Sequence, residues 1–413
     1  MSDTDPLTPH DPYQALRFAE FRWYLLGTWA MSMASLMQSV LIGWQVWDIT
    51  RSALSLGLVG LAEAIPCLGF TLVGGYAADR MDRRTLGLLS STALLAGAGI
   101  LFAMNFSGTP AMAWPFYAIQ ALAGLGRAFN RPAMQALRTE LVPWEAYANA
   151  ATWTSSTFQT AMVLGPAVGG LLLGFGSARL AYGVEVVLLL ASVVTMLGLK
   201  PRPRLAPATG GMIRSLKEGL AFVFSSQVLL GAMSLDLFAV LFGGAPALLP
   251  VFASEILKVG PQGLGLLRAA PAVGSVLVAL GLAHRPPMAR AGRTLLASVA
   301  LFGLCWIAFA FSRSFLLSLF LLALSGAVDN VSVVVRQTLL QIRTPQQLMG
   351  RVSAVSGFFI TSSNEIGAFE SGVAARVLGL VPSVILGGLM TLGVVSVTAW
   401  RAPELRKLDR LQS

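Results

Sequence analysis

Long apolar runs separated by short polar connections fill the chain after its first twenty residues. Each run holds about twenty residues with few charges, the length that an α-helix needs to cross roughly 30 Å of hydrocarbon. The pattern predicts twelve membrane-spanning helices, over 22–47, 53–78, 85–105, 111–136, 146–175, 178–199, 228–254, 262–283, 294–312, 315–341, 350–378 and 381–400. The boundary between the fifth and sixth is the weakest, because only Gly174 to Arg179 interrupts the apolar sequence there.

Composition supports lipid as the solvent of this chain. Hydrophobic residues make up 55% and charged residues 12% of the 413 residues, whereas soluble domains carry about 25% charged residues. Cys67 and Cys305 both lie in apolar runs, so a disulfide framework or a thiolate metal site is not expected. We therefore expect an all-α membrane protein.

Basic residues fall mostly in the connections that share a side with the N-terminus. The other side holds only Arg51, Arg179, Lys258, Arg313 and Arg376. By the positive-inside rule, both termini are expected in the cytoplasm and the protein in the inner (plasma) membrane. The net charge of +10 is thus explained by topology and by contact with membrane lipids, and no nucleic-acid partner is expected. The first residues are polar and do not resemble a signal peptide.

The longest internal connection divides the predicted helices into two sets of six. The expected organisation is a cytoplasmic tail, a six-helix bundle, a cytoplasmic linker, a second bundle and a tail, over 1–21, 22–199, 200–227, 228–400 and 401–413. Within the linker, apolar residues recur at helical spacing at Ile213, Leu216, Leu220 and Phe224. This spacing predicts an amphipathic helix along the inner membrane surface.

The two sets of helices are internally repeated. A constant shift of 202 relates Gly124 to Gly326, Gln135 to Gln337, Leu137 to Leu339, Pro143 to Pro345, Gly165 to Gly367 and Gly170 to Gly372. Duplicated halves with a site at their interface are a known transporter architecture. The same shift places Arg127 opposite Asp329, so equivalent positions carry opposite charges.

Ionisable side chains lie inside the predicted spans. A lone charge at the bilayer centre costs about 2.5–3.5 kcal/mol on insertion scales, so these residues are expected to line a cavity or a helix interface. They are Glu63, Arg127, Arg131, Glu185, Asp236, Arg268, Asp329, Arg336, Glu365 and Glu370. This pattern indicates a membrane transporter.

A charged motif follows the second span. It reads Gly75-x-x-x-Asp79-Arg80-x-x-Arg83-Arg84 and resembles the signature loop of the major facilitator superfamily, with Asp82 at the position of the usual second glycine. The resemblance spans nearly the whole chain and implies twelve helices in two pseudo-symmetric six-helix bundles. We expect these residues to form a conformational latch between inward and outward openings; a plain basic loop is the alternative.

A second motif, Gly165-Pro166-x-x-Gly169-Gly170, lies in the fifth span. It is similar to the exporter-associated motif of drug/proton antiporters, although Ala161 replaces an upstream glycine. Proline gives a bend and the small residues permit close packing, so this segment is either a gating helix or a static contact. The sequences around Asp236, Arg268 and Glu365 look most like the branch that contains the enterobactin exporter and the macrolide-efflux relatives.

Buried acids are the candidates for proton coupling. A carboxylate in a low-dielectric site can exchange a proton near neutral pH, and Glu63, Asp236, Asp329 and Glu365 are the candidates. For Asp329 the alternative is a permanent ion pair with Arg127 or Arg336. Glu63 has no basic residue in its own span, which favours a functional role.

Further polar residues are candidates for substrate contact: Arg127, Arg268, Gln38 and Asn364. The arginines either attract an anionic substrate or neutralise buried acids. Asn364 belongs to a span too polar for a lipid face. Gln38 is expected to form an amphipathic binding surface with Trp44, Gln45 and Trp47 of the first span; the alternative is that the two tryptophans are interfacial anchors.

Several function classes are excluded. No Gly-x-x-x-x-Gly-Lys-Ser/Thr motif is present, and His10 and His284 lie outside the spans, so neither ATP hydrolysis nor a metal site is expected. The protein is expected to be no enzyme and to need no cofactor beyond a proton gradient. We expect a monomeric, proton-coupled exporter of a small amphipathic molecule, a siderophore or a drug, that works by alternating access. An uptake symporter and a passive channel or scramblase are the alternatives.

Overall fold

The chain folds into long helices. The computed structural model describes residues 11–106, 112–201, 212–243, 245–284, 290–406 and 408, without the side chains of residues 72, 79 and 212–216. The helices are α1 (Ala19–Thr50), α2 (Ala53–Arg80), α3 (Arg83–Met104), α4 (Trp114–Leu141), α5 (Tyr147–Leu171), α6 (Ala178–Leu197), α7 (Met212–Ser225), α8 (Gln227–Gly243), α9 (Leu249–Val251), α10 (Gly260–Ala283), α11 (Ala291–Phe311), α12 (Phe315–Arg343), α13 (Gln346–Leu378), α14 (Leu380–Arg401) and α15 (Pro403–Arg406).

Irregular helical turns extend or interrupt some of these helices. A π-helical turn, Leu172–Gly176, continues α5 to the loop before α6. The predicted seventh span is broken: a 3₁₀ turn, Pro246–Leu248, separates α8 from α9, and a π-helical turn, Phe252–Ile256, follows α9. Pro246 and Pro250 each lack a backbone N–H, which explains why one straight helix does not continue through this region.

Ten of the helices in the described ranges are long and apolar enough to cross a membrane. The helices α4 and α13 are not among them, although they are 28 and 33 residues long. Both carry several charged residues: Arg127, Arg131, Arg138 and Glu140 on α4, and Arg351, Glu365, Glu370 and Arg376 on α13. The predicted all-α membrane class is confirmed, and the two most polar long helices are those that carry much of the central charge.

The helices form two bundles with equivalent packing. In the first half α1 packs on α5 and α6, and α2 on α4; in the second half α8 packs on α13 and α14, and α10 on α12. The glycines of the 202-residue repeat occupy equivalent contacts. Gly165 packs against Leu36 of α1, and Gly367 against Leu241 of α8. The sequence repeat therefore reflects a structural repeat.

The halves touch each other through two helix pairs, α2 with α13 and α5 with α10. Gly57 packs against the backbone of Gly372 in the first pair, and Gly170 against that of Gly265 in the second. We call the end of the bundle that carries these contacts the far end, and the end that carries Ala19 and Arg401 the terminus end. Both helix pairs meet close to the far end.

Toward the terminus end the halves separate. Among the described residues, ion pairs and side-chain hydrogen bonds join the halves at the far end and at mid-depth. The hydrogen bond from Arg131 to Thr361 is one of those at mid-depth. The molecule is therefore closed at the far end and open at the terminus end.

The linker helix α7 docks on the second bundle. Val223 is buried in a cluster with Leu340 of α12 and Val352 of α13, and Leu220 packs against that cluster. Phe224 remains 60% exposed, so the docking face centres on Val223 rather than on the predicted stripe. The predicted contacts of Ile213 and Leu216 lie outside the described side chains.

The first described residues also pack on the bundle. The carbonyl of Pro12 accepts hydrogen bonds from Nδ2 of Asn149 at 2.8 Å and Nε1 of Trp153 at 3.0 Å, both on α5. The short helix α15 follows α14, and Leu405 on it is buried beside α8 and α11. Residues inside both predicted tails, 1–21 and 401–413, are thus held against the helices.

Candidate functional site

A cluster of four polar residues lies where the two halves meet at mid-depth. The Glu63 carboxylate forms an ion pair with Arg127 and accepts a hydrogen bond from Nε2 of Gln120 at 2.9 Å. Glu365, from the second half, lies with Oε1 4.0 Å from Nη1 of Arg127. We call Glu63, Gln120, Arg127 and Glu365 the Arg127 cluster. One guanidinium thus interacts with two carboxylates from different halves.

The burial of the Arg127 cluster is graded. The side chain of Glu63 is 7% exposed, that of Glu365 is 20% exposed, and that of Arg127 is 41% exposed. Arg127 lies in the middle of α4 and remains partly exposed although it is beside two acids. A charge that faced lipid would be unfavourable, so the exposed part of Arg127 must face open space inside the bundle. The cluster therefore borders the cavity that opens toward the terminus end.

Close packing of α2 on α4 explains why Glu63 and Arg127 meet. Gly124 contacts the backbone carbonyl of Glu63 and the ring of Pro66. Arg127 lies three residues after Gly124, one turn further along the same face of α4. A side chain at Gly124 would separate the helices and break this geometry.

Arg268 of α10 forms a different kind of contact. Its Nη1 donates a hydrogen bond to Oγ of Ser39 on α1 at 3.0 Å, and its Nη2 donates to the carbonyl of Pro246 at 3.4 Å. Its Nε is buried and has no hydrogen-bond partner. Unlike Arg127, Arg268 has no ion pair with a carboxylate in the described part of the chain.

Glu63 and Arg268 occupy equivalent positions. A shift of 205 relates Gly60-Leu61-x-Glu63-Ala64-x-Pro66 to Gly265-Leu266-x-Arg268-Ala269-x-Pro271. In the structure Gly60 contacts Ala368 and Gly265 contacts Gly170, so each glycine touches the other half. Glu63 lies one turn beyond Gly60, and Arg268 one turn beyond Gly265, in both cases on the cavity side of the contact. The equivalent positions therefore carry an acid in the first half and a base in the second.

The second half has its own ion pair, between Asp236 of α8 and Arg336 of α12. The two side chains are 10% and 6% exposed. Among the described residues no ion pair joins Asp329 to Arg127 or Arg336 in this state, and these arginines pair with Glu63 and Asp236 instead. Asp329, two turns before Arg336, has no ion pair among the residues that the structure describes.

The other predicted contact residues lie in different environments. Gln38 is buried in α1 with 4% exposure. Asn364 is exposed, and its Nδ2 donates to the carbonyl of Ile360 on its own helix at 2.8 Å. The structure therefore brings Glu63, Arg127 and Glu365 together and does not bring these two amides into the cluster.

The signature-loop residues bind within the first half. Arg83 forms an ion pair with Glu140 at the end of α4, and Arg84 donates to the carbonyls of Met196 and Leu197 at 3.0 and 2.9 Å. Asp82 caps α3 by accepting from the backbone N–H of Arg84 at 3.3 Å.

The remaining residues of that motif lie at the end of α2. Gly75 is inside the helix, and the guanidinium of Arg80 stacks over the Tyr76 ring at 4.3 Å. The side chain of Asp79 lies outside the described side chains.

The glycine-proline motif of α5 makes two contacts of different kinds. Gly165 and Gly169 pack against Leu36 and Met37 of α1 in the same half. Gly170 packs against Pro261 and Gly265 of α10, and the carbonyl of Pro166 lies beside Gly265. This motif therefore joins the halves at the far end through Gly170 and Pro166.

Sequence reasoning did not single out Gln120, Ser39 or Thr361. Gln120 lies two turns before Arg127 on one face of α4, a spacing that could have indicated it. Ser39 and Thr361 bind arginines of the opposite half. No pattern within one helix indicates such a contact.

A two-bundle fold closed at one end, with charged residues where the halves meet, defines a secondary transporter of the major facilitator type. The model of the transmembrane secretion effector family matches residues 10–413, so the chain belongs to that family. It is a multi-pass membrane protein and a small-molecule exporter of the major facilitator superfamily.

Relatives of known description agree with this class. The chain is 29% identical over 389 residues to the multidrug efflux pump Tap of Mycolicibacterium fortuitum, covering 89% of this chain and 91% of the pump. It is 27% identical over 397 residues to the enterobactin exporter EntS of Shigella flexneri, covering 94% and 92%. Among solved structures, a D-xylose-proton symporter superposes with a TM-score of 0.70 at 15% identity, covering 96% and 99%.

Proposed function

We propose that this protein exports a small amphipathic molecule in exchange for protons by alternating access. The observation that carries the proposal is the Arg127 cluster, in which one arginine binds an acid of its own half and lies beside an acid of the other. The named relatives pump drugs and enterobactin respectively, so a hydrophobic drug or a siderophore is the proposed substrate class.

The terminus end is proposed to face the cytoplasm. Basic residues are concentrated in the connections at that end, and the positive-inside rule places such connections in the cytoplasm. Both termini would then be cytoplasmic in the inner (plasma) membrane. The structure would accordingly correspond to the inward-open state, ready to take substrate from the cytoplasm or the inner leaflet.

Proton coupling needs a group whose proton affinity differs between the two states. Glu365 meets this requirement because its contact with Arg127 exists only while the halves lie together at mid-depth. The proton affinity of Glu365 would therefore change when its contact with Arg127 is made or broken between the two states. Glu63 would hold Arg127 in place for this contact.

The energy source is proposed to be the proton gradient alone, with no bound cofactor. Membrane voltage adds about 2.3 kcal/mol per charge per 100 mV if net charge moves. Because one chain supplies both halves and the interface between them, a monomer is sufficient for the transport cycle.

Two motifs are proposed to control the opening. Within the described ranges, Arg83 and Arg84 contact groups of the first half alone in this state, so contacts of theirs with the second half would form when the terminus end closes. Asp79, by its place in the motif, is proposed as the acid of that latch. Gly170 and Pro166 are proposed to act as the gate at the far end, since α5 meets α10 there.

The test is transport in liposomes with an imposed pH gradient. The protein should move a fluorescent drug against its concentration gradient when protons flow the other way, and Glu365→Gln should abolish the response to the gradient. Glu145→Gln is the matched control, because Glu145 is an exposed acid in the turn before α5.

The two variants separate the possible failures. If wild-type transport ignores the pH gradient, coupling to protons is wrong. If wild type responds and Glu365→Gln responds equally, the assignment of the proton site is wrong. If the drug accumulates in the direction of proton flow, the protein is a symporter.

A further inference from the structure

Arg268 is an uncompensated cation. No carboxylate oxygen from the described part of the chain lies within 4.0 Å of its guanidinium. Its partners are one hydroxyl and one backbone carbonyl, at 3.0 and 3.4 Å. Its Nε is buried and donates to nothing. Neutral partners leave the positive charge uncompensated, and a buried arginine gains most from an anion that its planar donors can bind.

The position of Arg268 suits a ligand that enters the cavity. Gly265, one turn toward the far end, packs against Gly170 and closes the interface. Arg268 is the next residue on that face of α10 toward the open end. Arg268 is partly exposed. An anion in the cavity would therefore reach its guanidinium on the terminus side of the contact between Gly265 and Gly170.

The second half leaves this charge free, whereas the first half neutralises its counterpart. Glu63, at the equivalent position, is bound by Arg127 and Gln120. Asp329, which the 202-residue shift relates to Arg127, is on α12 and does not bind Arg268. An anionic ligand would neutralise Arg268 in the second half, as Arg127 neutralises Glu63 in the first.

We propose that Arg268 is the binding site for an anionic group of the exported molecule, a carboxylate, sulfonate or ionised phenol, and that the anion takes the place of Ser39. This inference rests on the proposed function and narrows its substrate class to amphipathic anions. Since Ser39 is on α1 and Arg268 on α10, the exchange also removes a hydrogen bond that joins the halves. Binding of the anion would thereby loosen the far end.

The test compares two probes that differ by one charged group. 8-Anilinonaphthalene-1-sulfonate carries a sulfonate, and N-phenyl-1-naphthylamine is its neutral counterpart. Both are titrated against purified protein in an uncharged detergent, with empty micelles subtracted. Arg268→Gln should weaken binding of the sulfonate by about 10- to 100-fold, the range for hydrogen bonds to a charged group, and leave the neutral probe within about twofold.

Two further variants distinguish charge from structure. Ser39→Ala removes the bond between α1 and α10 but keeps the guanidinium, so it should bind the sulfonate as tightly as wild type or more tightly. Arg268→Lys should keep part of the preference for the sulfonate. If Arg268→Gln does not fold, sulfonate binding by Arg268→Lys is compared with that by Ser39→Ala. Only the lysine variant should bind the sulfonate probe more weakly than wild type.

The outcomes are separable from those of the proposed function. Unchanged sulfonate binding in Arg268→Gln, or equal loss of both probes, would overturn the assignment. Liposomes of phosphatidylcholine, with and without phosphatidylglycerol, show whether an anionic lipid headgroup occupies the site instead. If phosphatidylglycerol competes with the sulfonate and the sulfonate is not transported, the assignment of Arg268 to the exported molecule is overturned. Export of the neutral probe by Arg268→Gln under a pH gradient would leave proton-coupled export intact.

Discussion

Glu63 and Arg268 hold equivalent places in the two halves, each three residues beyond a glycine that touches the opposite half. The acid is neutralised within its own half by Arg127, and the base is not neutralised by any acid that the structure describes. The far end of the cavity therefore has a closed charge pair on one side and an open cation on the other. This asymmetry is the reason why we propose different roles for the two positions, with Glu63 holding Arg127 beside Glu365 and Arg268 binding an anion.

The Glu63–Arg127 pair should be energetically coupled. Glu63→Gln and Arg127→Met should each lower the free energy of unfolding by about 1–3 kcal/mol, less than for a fully buried pair because Arg127 is 41% exposed. The double variant should cost less than the sum, since neither Glu63 nor Arg127 is then left without the other. Thermal unfolding in detergent measures this. Additive losses would show that the two residues do not stabilise each other.

The Asp236–Arg336 pair should be structural. Both side chains are almost fully buried, so Asp236→Asn should destabilise the fold by about 3–5 kcal/mol, and the double change Asp236→Leu with Arg336→Met should recover most of that loss. Expression level and unfolding temperature report stability, and transport in liposomes reports coupling. An Asp236→Asn protein that is fully stable but uncoupled from protons would instead make Asp236 a proton site.

A bulky residue at Gly170 should prevent closure of the far end. Its added Cβ would meet the backbone of Pro261 and Gly265, so Gly170→Val should push α5 from α10 and favour the outward-open state. Gly99→Val is the matched control, because a Cβ at Gly99 meets nothing within 4 Å. Spin-label distances across the far end should lengthen only in Gly170→Val. Equal distances in both variants would contradict the gate.

A disulfide across the far end should lock the transporter. A Cβ added at Gly60 would lie 2.8 Å from Cβ of Ala368, so Gly60→Cys and Ala368→Cys should cross-link under mild oxidation after a shift to the usual Cβ–Cβ distance of about 3.8 Å, in a background of Cys67→Ala and Cys305→Ala. Transport should stop on oxidation and return on reduction, because α2 and α13 must separate during the cycle. The single variant Ala368→Cys is the control. Normal transport by the cross-linked protein would show that this contact does not open.

Sequence patterns predicted the class and the repeat well. Spans of about twenty apolar residues require helices, because backbone groups in lipid must be hydrogen-bonded internally. The seventh span was predicted as one helix and is broken near Pro246, and the docking face of α7 includes Val223 instead of Phe224. The break follows from the missing backbone N–H groups of Pro246 and Pro250, and the docking face depends on packing against α12 and α13; hydropathy reports neither.

The charged candidates could be recognised but not paired. Glu63 was favoured as a functional acid because its predicted span, 53–78, has no base, yet Arg127 reaches it from α4. Asp329 was considered as the partner of Arg127 or Arg336, and both arginines bind other acids. Pairing depends on which helix faces are adjacent, and no spacing within one helix contains that information.

The amino-acid sequence by itself determined that this chain lies in a membrane, that its halves are related and that rare charges occur in its helices, because hydropathy and identity at a fixed shift are local properties. Only the tertiary structure decided that Arg127 binds Glu63 and meets Glu365, whereas the partners of Arg268 among the described residues are the neutral Ser39 and Pro246. Those contacts join helices from distant parts of the chain. Arg127 and Arg268 are positioned by glycines that let helices approach closely, Gly124 between α4 and α2 and Gly265 between α10 and α5.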